Sequence, residues 1–108
     1  MNIGASLSGL FAAKTQFDVA ANDIANANTG GYRQKRTEFG DTRQGVEIQA
    51  ITPPVDDSPS SSADVAPSNV SLAEEMTQLT TARHAYGANA RMLQSQLETQ
   101  GMLFDQRV

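Results

Sequence analysis

Apolar side chains near the start of the sequence recur at alternating steps of four and three residues. This is the spacing of a heptad seam, in which one stripe of a helix packs along the length of another helix. It predicts a helix over residues 3–28, which at 1.5 Å per residue is roughly 39 Å long. Lys14 is the one polar interruption. The stripe consists of Ile3, Leu7, Leu10, Phe17, Ala21 and Ile24.

A second stripe with the same spacing fills the end of the sequence. Ser71 and Glu74 form a predicted capping box, and Glu75 adds negative charge at the helix N-terminus. Gly87 and Gly101 each weaken this helix by about 1 kcal/mol relative to alanine. The two matching stripes are expected to pack together or against copies of themselves. The second stripe consists of Leu72, Met76, Leu79, Arg83, Tyr86, Ala90, Leu93, Leu97, Gln100 and Phe104.

The sequence between the two stripes predicts a hairpin followed by a linker. Gly30 and Gly31 are suited to end the first helix, because glycine adopts the left-handed backbone found after a helix C-terminus. Residues 46–51 alternate apolar and polar side chains as a half-buried strand does, and residues 32–39 can pair with them across a loop that contains Gly40, Asp41 and Gly45. The Pro- and Ser-rich residues 52–68 are typical of a linker.

These elements predict a mainly α fold of one small domain. Two long terminal helices pack as a coiled coil or helical hairpin, with a small β-hairpin and a flexible linker between them. The predicted division is an N-terminal helix region, a β-hairpin region, a linker and a C-terminal helix region. Their bounds are 1–30, 31–51, 52–70 and 71–108.

The composition predicts a thin core for the isolated chain. Only 21 of the 108 residues are Leu, Ile, Val or Phe, whereas 15 are Ala, which buries little surface. Small chains with thin cores usually rely on disulfides, metals or oligomerisation. The chain has no cysteine and one histidine, so oligomerisation is the remaining route.

Side chains that could carry chemistry are few. His84 is the only imidazole, and a metal site needs several ligands, so we expect a solvated or interface side chain, and no metal or cofactor. The cluster Arg33, Lys35 and Arg36 could contact phosphates, but three basic residues in a chain of net charge -4 are a weak nucleic-acid footprint. A soluble strand edge, or pairing with acidic neighbours, is the alternative for this cluster.

The sequence predicts neither a membrane-spanning segment nor a cleaved secretory signal. No segment reaches the roughly 18 consecutive apolar residues that span a bilayer. The first residues are mildly apolar, but they lack a basic stretch before the apolar part. We therefore expect that, if the chain leaves the cytoplasm, it keeps its first residues.

Two stretches at opposite ends of the chain resemble one protein family. Residues 18–36, DVAANDIANANTGGYRQKR, are similar to the N-terminal signature of the bacterial flagellar rod and hook axial proteins. Residues 68–93, SNVSLAEEMTQLTTARHAYGANARML, resemble their C-terminal signature. The short middle resembles that of the small proximal rod subunits. Gly87 and the tail ETQGMLFDQRV depart from the family pattern.

This resemblance implies a structural subunit and not an enzyme. In that family the terminal helices form coiled coils around a hollow tube, and the chain ends are largely unfolded before assembly. The implied partners are other rod and axial subunits, as a homo- or hetero-oligomer, and the flagellar type III export apparatus. The implied location is the periplasmic rod of the basal body, reached without signal cleavage. Neither nucleic acid nor membrane insertion is implied.

The candidate assembly residues come from the apolar stripes and from the resemblance. The stripes supply Leu7, Leu10, Phe17, Leu79 and Leu93. The resemblance implies assembly roles for Asn22, Ile24, Asn26, Thr29, Gly30, Tyr32, Asn69, Val70, Glu74, Glu75, Met76, Tyr86 and Asn89.

The asparagines suggest a physical role in register. Alanines allow neighbouring helices to approach closely, and amides between them can hydrogen-bond across the contact and fix one alignment. Replacing Asn22 and Asn26 with leucine is then expected to preserve helix content but disturb ordered assembly. The alternative function is a cytoplasmic helical-hairpin adaptor that binds one partner helix and is not part of the rod.

Overall fold

The structure, a computed structural model, describes residues 3–52 and 67–106. It consists of two long helices and one antiparallel β-hairpin, as the sequence predicts. Most of the predicted linker lies outside the described residues. The elements are α1 (Ile3–Ala25), β1 (Arg36–Thr42), β2 (Gly45–Thr52) and α2 (Leu72–Asp105).

The two helices pack side by side in opposite directions. Near the start of α1, Ser6 Oγ donates to Gln96 Oε1 at 3.3 Å. Further along α1, Gln16 Nε2 donates to Gln78 Oε1 at 2.6 Å. Because contacts with later residues of α1 fall on earlier residues of α2, the pair is an antiparallel helical hairpin.

The contact between the helices is made of small and polar side chains. Ala13, Ala20 and Ala82 are buried, and the Asn89 side chain lies against Gly9, where a Cβ atom would meet Asn89 Oδ1 at 2.5 Å. These residues continue a heptad spacing on both helices, which we call the small seam. On α1 the small seam is Ser6, Gly9, Ala13, Gln16, Ala20 and Asp23, and on α2 it is Glu75, Gln78, Ala82, Ala85, Asn89 and Gln96.

The prediction that the two apolar stripes pack against each other is wrong. Each stripe lies one residue after the small seam, so it flanks the contact and stays partly or largely exposed. Phe17 and Tyr86, for example, are 42% and 48% exposed. The physical reason is that alanine and glycine allow closer approach of two helix backbones than leucine does, and the amides in the small seam are hydrogen-bonded. Packing against other chains is untested for the apolar stripes.

Helix α1 ends at Ala25, three residues earlier than predicted. Beyond Ala25 the main chain shifts to three-residue hydrogen bonds, since the Asn26 amide donates to both the Asn22 and the Asp23 carbonyls and the Ala27 amide donates to the Ile24 carbonyl at 3.1 Å. The Asn26 Nδ2 also donates to the Asn22 carbonyl, at 2.9 Å. A series of turns follows, and the Tyr32 amide donates to the Thr29 carbonyl at 3.2 Å. Gly31 takes the left-handed conformation, with φ of 76°.

The β-hairpin is shorter on its first strand than predicted. Strand β1 begins at Arg36 and not at residue 32, since the Lys35 amide donates to the Asp23 carboxylate and is not available to a strand partner. Gly40 and Asp41 lie inside β1 and Gly45 begins β2, so none of the three is in the loop, which is a two-residue turn over residues 43–44. Phe39 pairs with Ile48, after an irregularity in the register.

The hairpin packs on one side of α1 through a close contact at its turn. The Val46 amide donates to Ser8 Oγ at 3.2 Å, while Ser8 Oγ donates to the Ala5 carbonyl at 2.9 Å. Gly45 has φ of 134°, and a Cβ atom there would collide with Ser8 Oγ and lie 2.9 Å from Ala5 Cα. Glycine is therefore required at this position.

Helix α2 begins as predicted, with one difference. Ser71 caps it, accepting a hydrogen bond from the Glu74 amide at 3.4 Å. The Glu74 carboxylate does not complete the capping box. It accepts from Arg36 Nη2 at 2.9 Å, which ties the start of α2 to the start of β1.

We expect Gly45→Ala to destabilise the chain by about 1–3 kcal/mol, since it forces a strained backbone and a collision with α1. Gly87→Ala is the matched control, because nothing lies within 4 Å of its added Cβ atom. That control is expected to gain about 1 kcal/mol from helix propensity. Urea unfolding followed by far-UV circular dichroism measures both. Equal midpoints for the two variants would contradict the packing described for the turn.

Candidate assembly interface

The apolar stripes of the two helices lie on one side of the helix pair, and we call this surface the apolar face. In an antiparallel pair, the residues that follow the seam on each helix lie on the same side of the contact. Phe17 and Tyr86 accordingly line one groove, of about 340 Å³, whose floor is Ala13 and Ala82. Ser8, which holds the hairpin, precedes the seam residue Gly9, so the hairpin packs on the opposite side of α1.

The apolar face is bordered by charge. Lys14 Nζ forms an ion pair with Asp18 at 2.8 Å, and both side chains line the groove together with Arg83. The ion pair raises the pKa of Lys14 through its hydrogen bond to Asp18. Lys14 and Arg83 occupy equivalent positions in the two stripes. They interrupt the apolar surface at one level of the helix pair.

The apolar surface continues beyond the paired part of α2. Helix α2 has 34 residues against 23 in α1, which makes it roughly 16 Å longer. Residues 101–105 extend past the α1 contacts and are all exposed. They include Met102, Leu103 and Phe104, the last of which is 72% exposed. Three consecutive large apolar side chains on an exposed helix end are typical of a surface that other proteins cover.

A second cluster joins the two ends of the chain, and we call it the polar junction. It consists of Asn22, Asp23, Tyr32, Gln34, Asn69 and Glu75. Asp23 lies at its centre and is 0% exposed. The Tyr32 hydroxyl donates to Asp23 Oδ1 at 2.6 Å, and the Lys35 amide donates to Asp23 Oδ2 at 3.0 Å. Asp23 thus fixes the segment that follows α1.

Gln34 links this segment to the start of α2. Its main-chain amide donates to Asn69 Oδ1 at 2.6 Å, and its side-chain amide donates to the Glu75 carboxylate. The Asn69 amide in turn donates to the Tyr32 carbonyl at 3.4 Å. Every buried side-chain nitrogen and oxygen among residues 3–52 and 67–106 has a hydrogen-bond partner. The polar junction is therefore a satisfied network, which fixes one alignment of the two helices.

Burial changes the acid–base behaviour of the polar junction. The pKa of Glu75, which is 2% exposed, is raised to about 7, first by loss of water and then by the neighbouring charge of Asp23. The pKa of Tyr32 is raised to about 12 by burial and by its hydrogen bond to Asp23. Tyr32 therefore remains a hydroxyl donor at neutral pH.

The predicted site residues fall into three groups. The polar junction brings together residues from both ends of the chain, and the apolar face holds the stripe residues. The rest lie in the turns after α1, near the α2 N-terminus or in the small seam. In that order the groups are Asn22, Tyr32, Asn69 and Glu75; Leu7, Leu10, Phe17, Ile24, Met76, Leu79, Tyr86 and Leu93; and Asn26, Thr29, Gly30, Val70, Glu74 and Asn89.

Sequence reasoning missed two residues of the polar junction, Asp23 and Gln34. A signal for Asp23 was present, since it continues the three- and four-residue spacing of Ala13, Gln16 and Ala20. A charged residue in a stripe of small residues indicates a buried partner. Gln34 lies in an irregular segment, where no spacing indicates its contacts.

The asparagine side chains already have partners inside the chain. Asn22 Oδ1 accepts from the Tyr32 hydroxyl at 3.0 Å and from Asn26 Nδ2 at 3.1 Å. Asn26 Oδ1 accepts from Thr29 Oγ1 at 3.2 Å. Within one chain these amides hold the turn that ends α1. Their predicted role in contacts between chains remains a prediction.

Two of the three basic side chains in the cluster have partners within the chain. Arg33 Nη1 donates to the Tyr32 and Pro67 carbonyls, and Arg36 pairs with Glu74. His84 is exposed on α2. Among the described residues, no group of three or more His, Cys, Asp and Glu side chains could hold a metal ion, and no helix is long and apolar enough to cross a membrane.

Both helices match models of known protein families. Residues 3–33 match the family model described as flagella basal body rod protein, and residues 65–103 match the one described as flagellar basal body rod FlgEFG protein C-terminal. A search of curated proteins found no match. The first match covers α1 and the turns as far as Arg33, and the second covers nearly all of α2. The polar junction joins the two matched segments, and the chain belongs to the flagellar basal body rod proteins.

Proposed function

We propose that this chain is a structural subunit of the rod that assembles by burying its apolar face against the terminal helices of neighbouring axial subunits. The proposal rests on the one-residue offset between the small seam and the apolar stripe on each helix. The small seam holds the two helices together, while the larger apolar side chains, among them Phe17, Met76 and Tyr86, stay exposed one residue away. A helix pair that leaves its largest apolar surface outside has a second surface to pack.

The roles of the two surfaces are distinct in this account. The polar junction and the small seam set the alignment of α1 and α2, since hydrogen bonds are directional and tolerate only one register. The apolar face supplies the driving force for association, at about 25 cal/mol for each Å² of apolar area that is buried. The exposed end of α2, with Leu103 and Phe104, extends the same driving force to a neighbouring level.

Folding of the helix ends is coupled to association in this proposal. The described core consists mainly of alanines, so little apolar surface is buried within one chain. Ordering of both ends is then completed by surface buried between chains. The proposed route is the flagellar export apparatus without signal cleavage, and the proposed site is the periplasmic part of the basal body.

The adaptor function uses the same surface differently. The groove between Phe17 and Tyr86 could accept a single partner helix in the cytoplasm. The two functions differ in location and in stoichiometry, because a rod subunit is recovered with the basal body and an adaptor with one soluble partner.

The test is fractionation of cells that produce the chain at its natural level. Recovery of the chain in purified basal bodies, with an intact N-terminus by mass spectrometry, is the expected result. Recovery only in the cytosolic fraction, in a complex with one partner, contradicts the rod proposal and supports the adaptor. A strain that lacks the flagellar export apparatus is the control, and the chain is expected to be absent from its envelope fraction.

A further inference from the structure

Two carboxyl groups are buried together where the helices meet. Asp23 of α1 and Glu75 of α2 are 0% and 2% exposed, and neighbouring residues of one segment bind both of them: the Gln34 side-chain amide donates to Glu75, and the Lys35 main-chain amide donates to Asp23. Two ionised carboxylates in one buried site repel each other and lose their hydration, so one of them tends to hold a proton. Assembly through the apolar face does not require such a pair.

We propose that Asp23 and Glu75 form a proton-dependent latch, in which a proton shared between them keeps the ends of α1 and α2 together and its loss loosens the polar junction. The assignment of the proton follows from the hydrogen bonds. Both Asp23 oxygens already accept, from the Tyr32 hydroxyl and the Lys35 amide. Asp23 therefore already accepts two hydrogen bonds, and the shared proton is assigned to Glu75, whose pKa is raised by burial.

The charged and polar groups at this site come from three parts of the chain. Helix α1 contributes Asp23 itself. The segment before β1 contributes the Tyr32 hydroxyl and the Gln34 side-chain amide, which donates to Glu75 and so partly favours its charged form. From α2, Glu74 adds negative charge that raises the pKa of Glu75, although Glu74 is itself paired with Arg36 of β1.

The direction of the pH dependence follows from linkage. The pKa of Glu75 is about 7 in the folded chain, against 4.5 for an ordinary glutamate side chain, so the folded chain holds a proton that the unfolded chain releases. The stabilisation is fully present below pH 4.5, and it is lost as the pH rises through 7. With these two values, the unfolding equilibrium constant rises by about thirtyfold from pH 5.5 to pH 8.5.

Urea unfolding of the full chain at pH 5.5 and pH 8.5 tests the latch. The wild type is expected to show the thirtyfold change, and Glu75→Gln is expected to abolish it, since glutamine retains a donor for Asp23 but does not titrate. Glu74→Gln makes the same chemical change one residue away, on the pair with Arg36, and is expected to keep most of the pH dependence, since the Glu74 charge is the smallest of the causes that raise the pKa of Glu75. His84→Gln, which removes the only imidazole, is expected to keep it as well.

An unchanged pH dependence in Glu75→Gln overturns the proposal. Direct titration of the wild-type Glu75 carboxyl by NMR keeps the proposal testable if that variant does not fold. A midpoint near pH 7 supports the latch, and a midpoint below pH 5 overturns it. The latch does not depend on the rod function, so its failure leaves the fractionation result above unaffected.

Discussion

Replacing Asp23 by alanine is expected to destabilise the chain by about 2–4 kcal/mol, the largest effect of any single substitution in the polar junction. The variant removes the acceptor of the Lys35 amide and one of the two acceptors of the Tyr32 hydroxyl. Buried donors that lose their partners cost about 1–3 kcal/mol each. One bond survives, since the Tyr32 hydroxyl can still donate to Asn22 Oδ1.

The matched control is Asp18→Ala, five residues earlier on the same helix. Asp18 is exposed, and its only described partner is Lys14, one turn away. An exposed ion pair of this kind contributes about 0.5 kcal/mol. Urea unfolding at pH 6, followed by far-UV circular dichroism, compares the two variants. Similar midpoints for Asp23→Ala and Asp18→Ala would show that the polar junction does not stabilise the chain.

The two long helices could be predicted from the sequence because their periodicity spans many turns. The start of α2 also followed from local chemistry, since Ser71 accepts the hydrogen bond that a helix N-terminus leaves open. The end of α1 did not. There the Asn26 side chain and the Asn26 main-chain amide both donate to the Asn22 carbonyl, and such local side-chain bonds are weakly encoded in spacing.

The small seam could not be chosen from periodicity alone. Neighbouring stripes of a helix share one period, and hydrophobicity ranks the stripe with Leu7, Leu10 and Phe17 above the one with Gly9, Ala13 and Ala20. Which stripe meets the partner helix depends on the distance between backbones and on hydrogen bonds such as that from Ser6 to Gln96. Both are properties of the folded pair.

The polar junction needed contacts between distant parts of the sequence. Gln34 meets Asn69 and Glu75, which lie 35 and 41 residues away. The same contacts explain why β1 begins late, because the Gln34 and Lys35 amides are bound outside the sheet. The resemblance to rod and hook proteins pointed to Asn69 and Glu75 as important, but it did not supply their partners.

The second large effect is expected from the apolar face. We predict that the double variant Phe17→Ser, Tyr86→Ser weakens association with neighbouring subunits by about 2–3 kcal/mol, or roughly 30- to 150-fold, since it removes two aromatic side chains from the groove between the helices. Both side chains are about half exposed, so the fold of one chain loses less than the assembly does.

A control for this variant is present on the other side of α1. Phe39→Ser, Ile51→Ser also replaces two large apolar side chains, and both are 45% exposed on the β-hairpin, away from the apolar face. The two double variants therefore remove similar amounts of exposed apolar surface at different places. Far-UV circular dichroism is expected to show similar helix content in both.

Incorporation into basal bodies tests the role of the apolar face most directly. Cells produce the wild type together with one double variant, and mass spectrometry measures the ratio of the two chains in purified basal bodies and in whole cells. The account predicts strong depletion of Phe17→Ser, Tyr86→Ser from basal bodies and near-equal incorporation of Phe39→Ser, Ile51→Ser. Equal incorporation of the apolar-face variant and the wild type would contradict it.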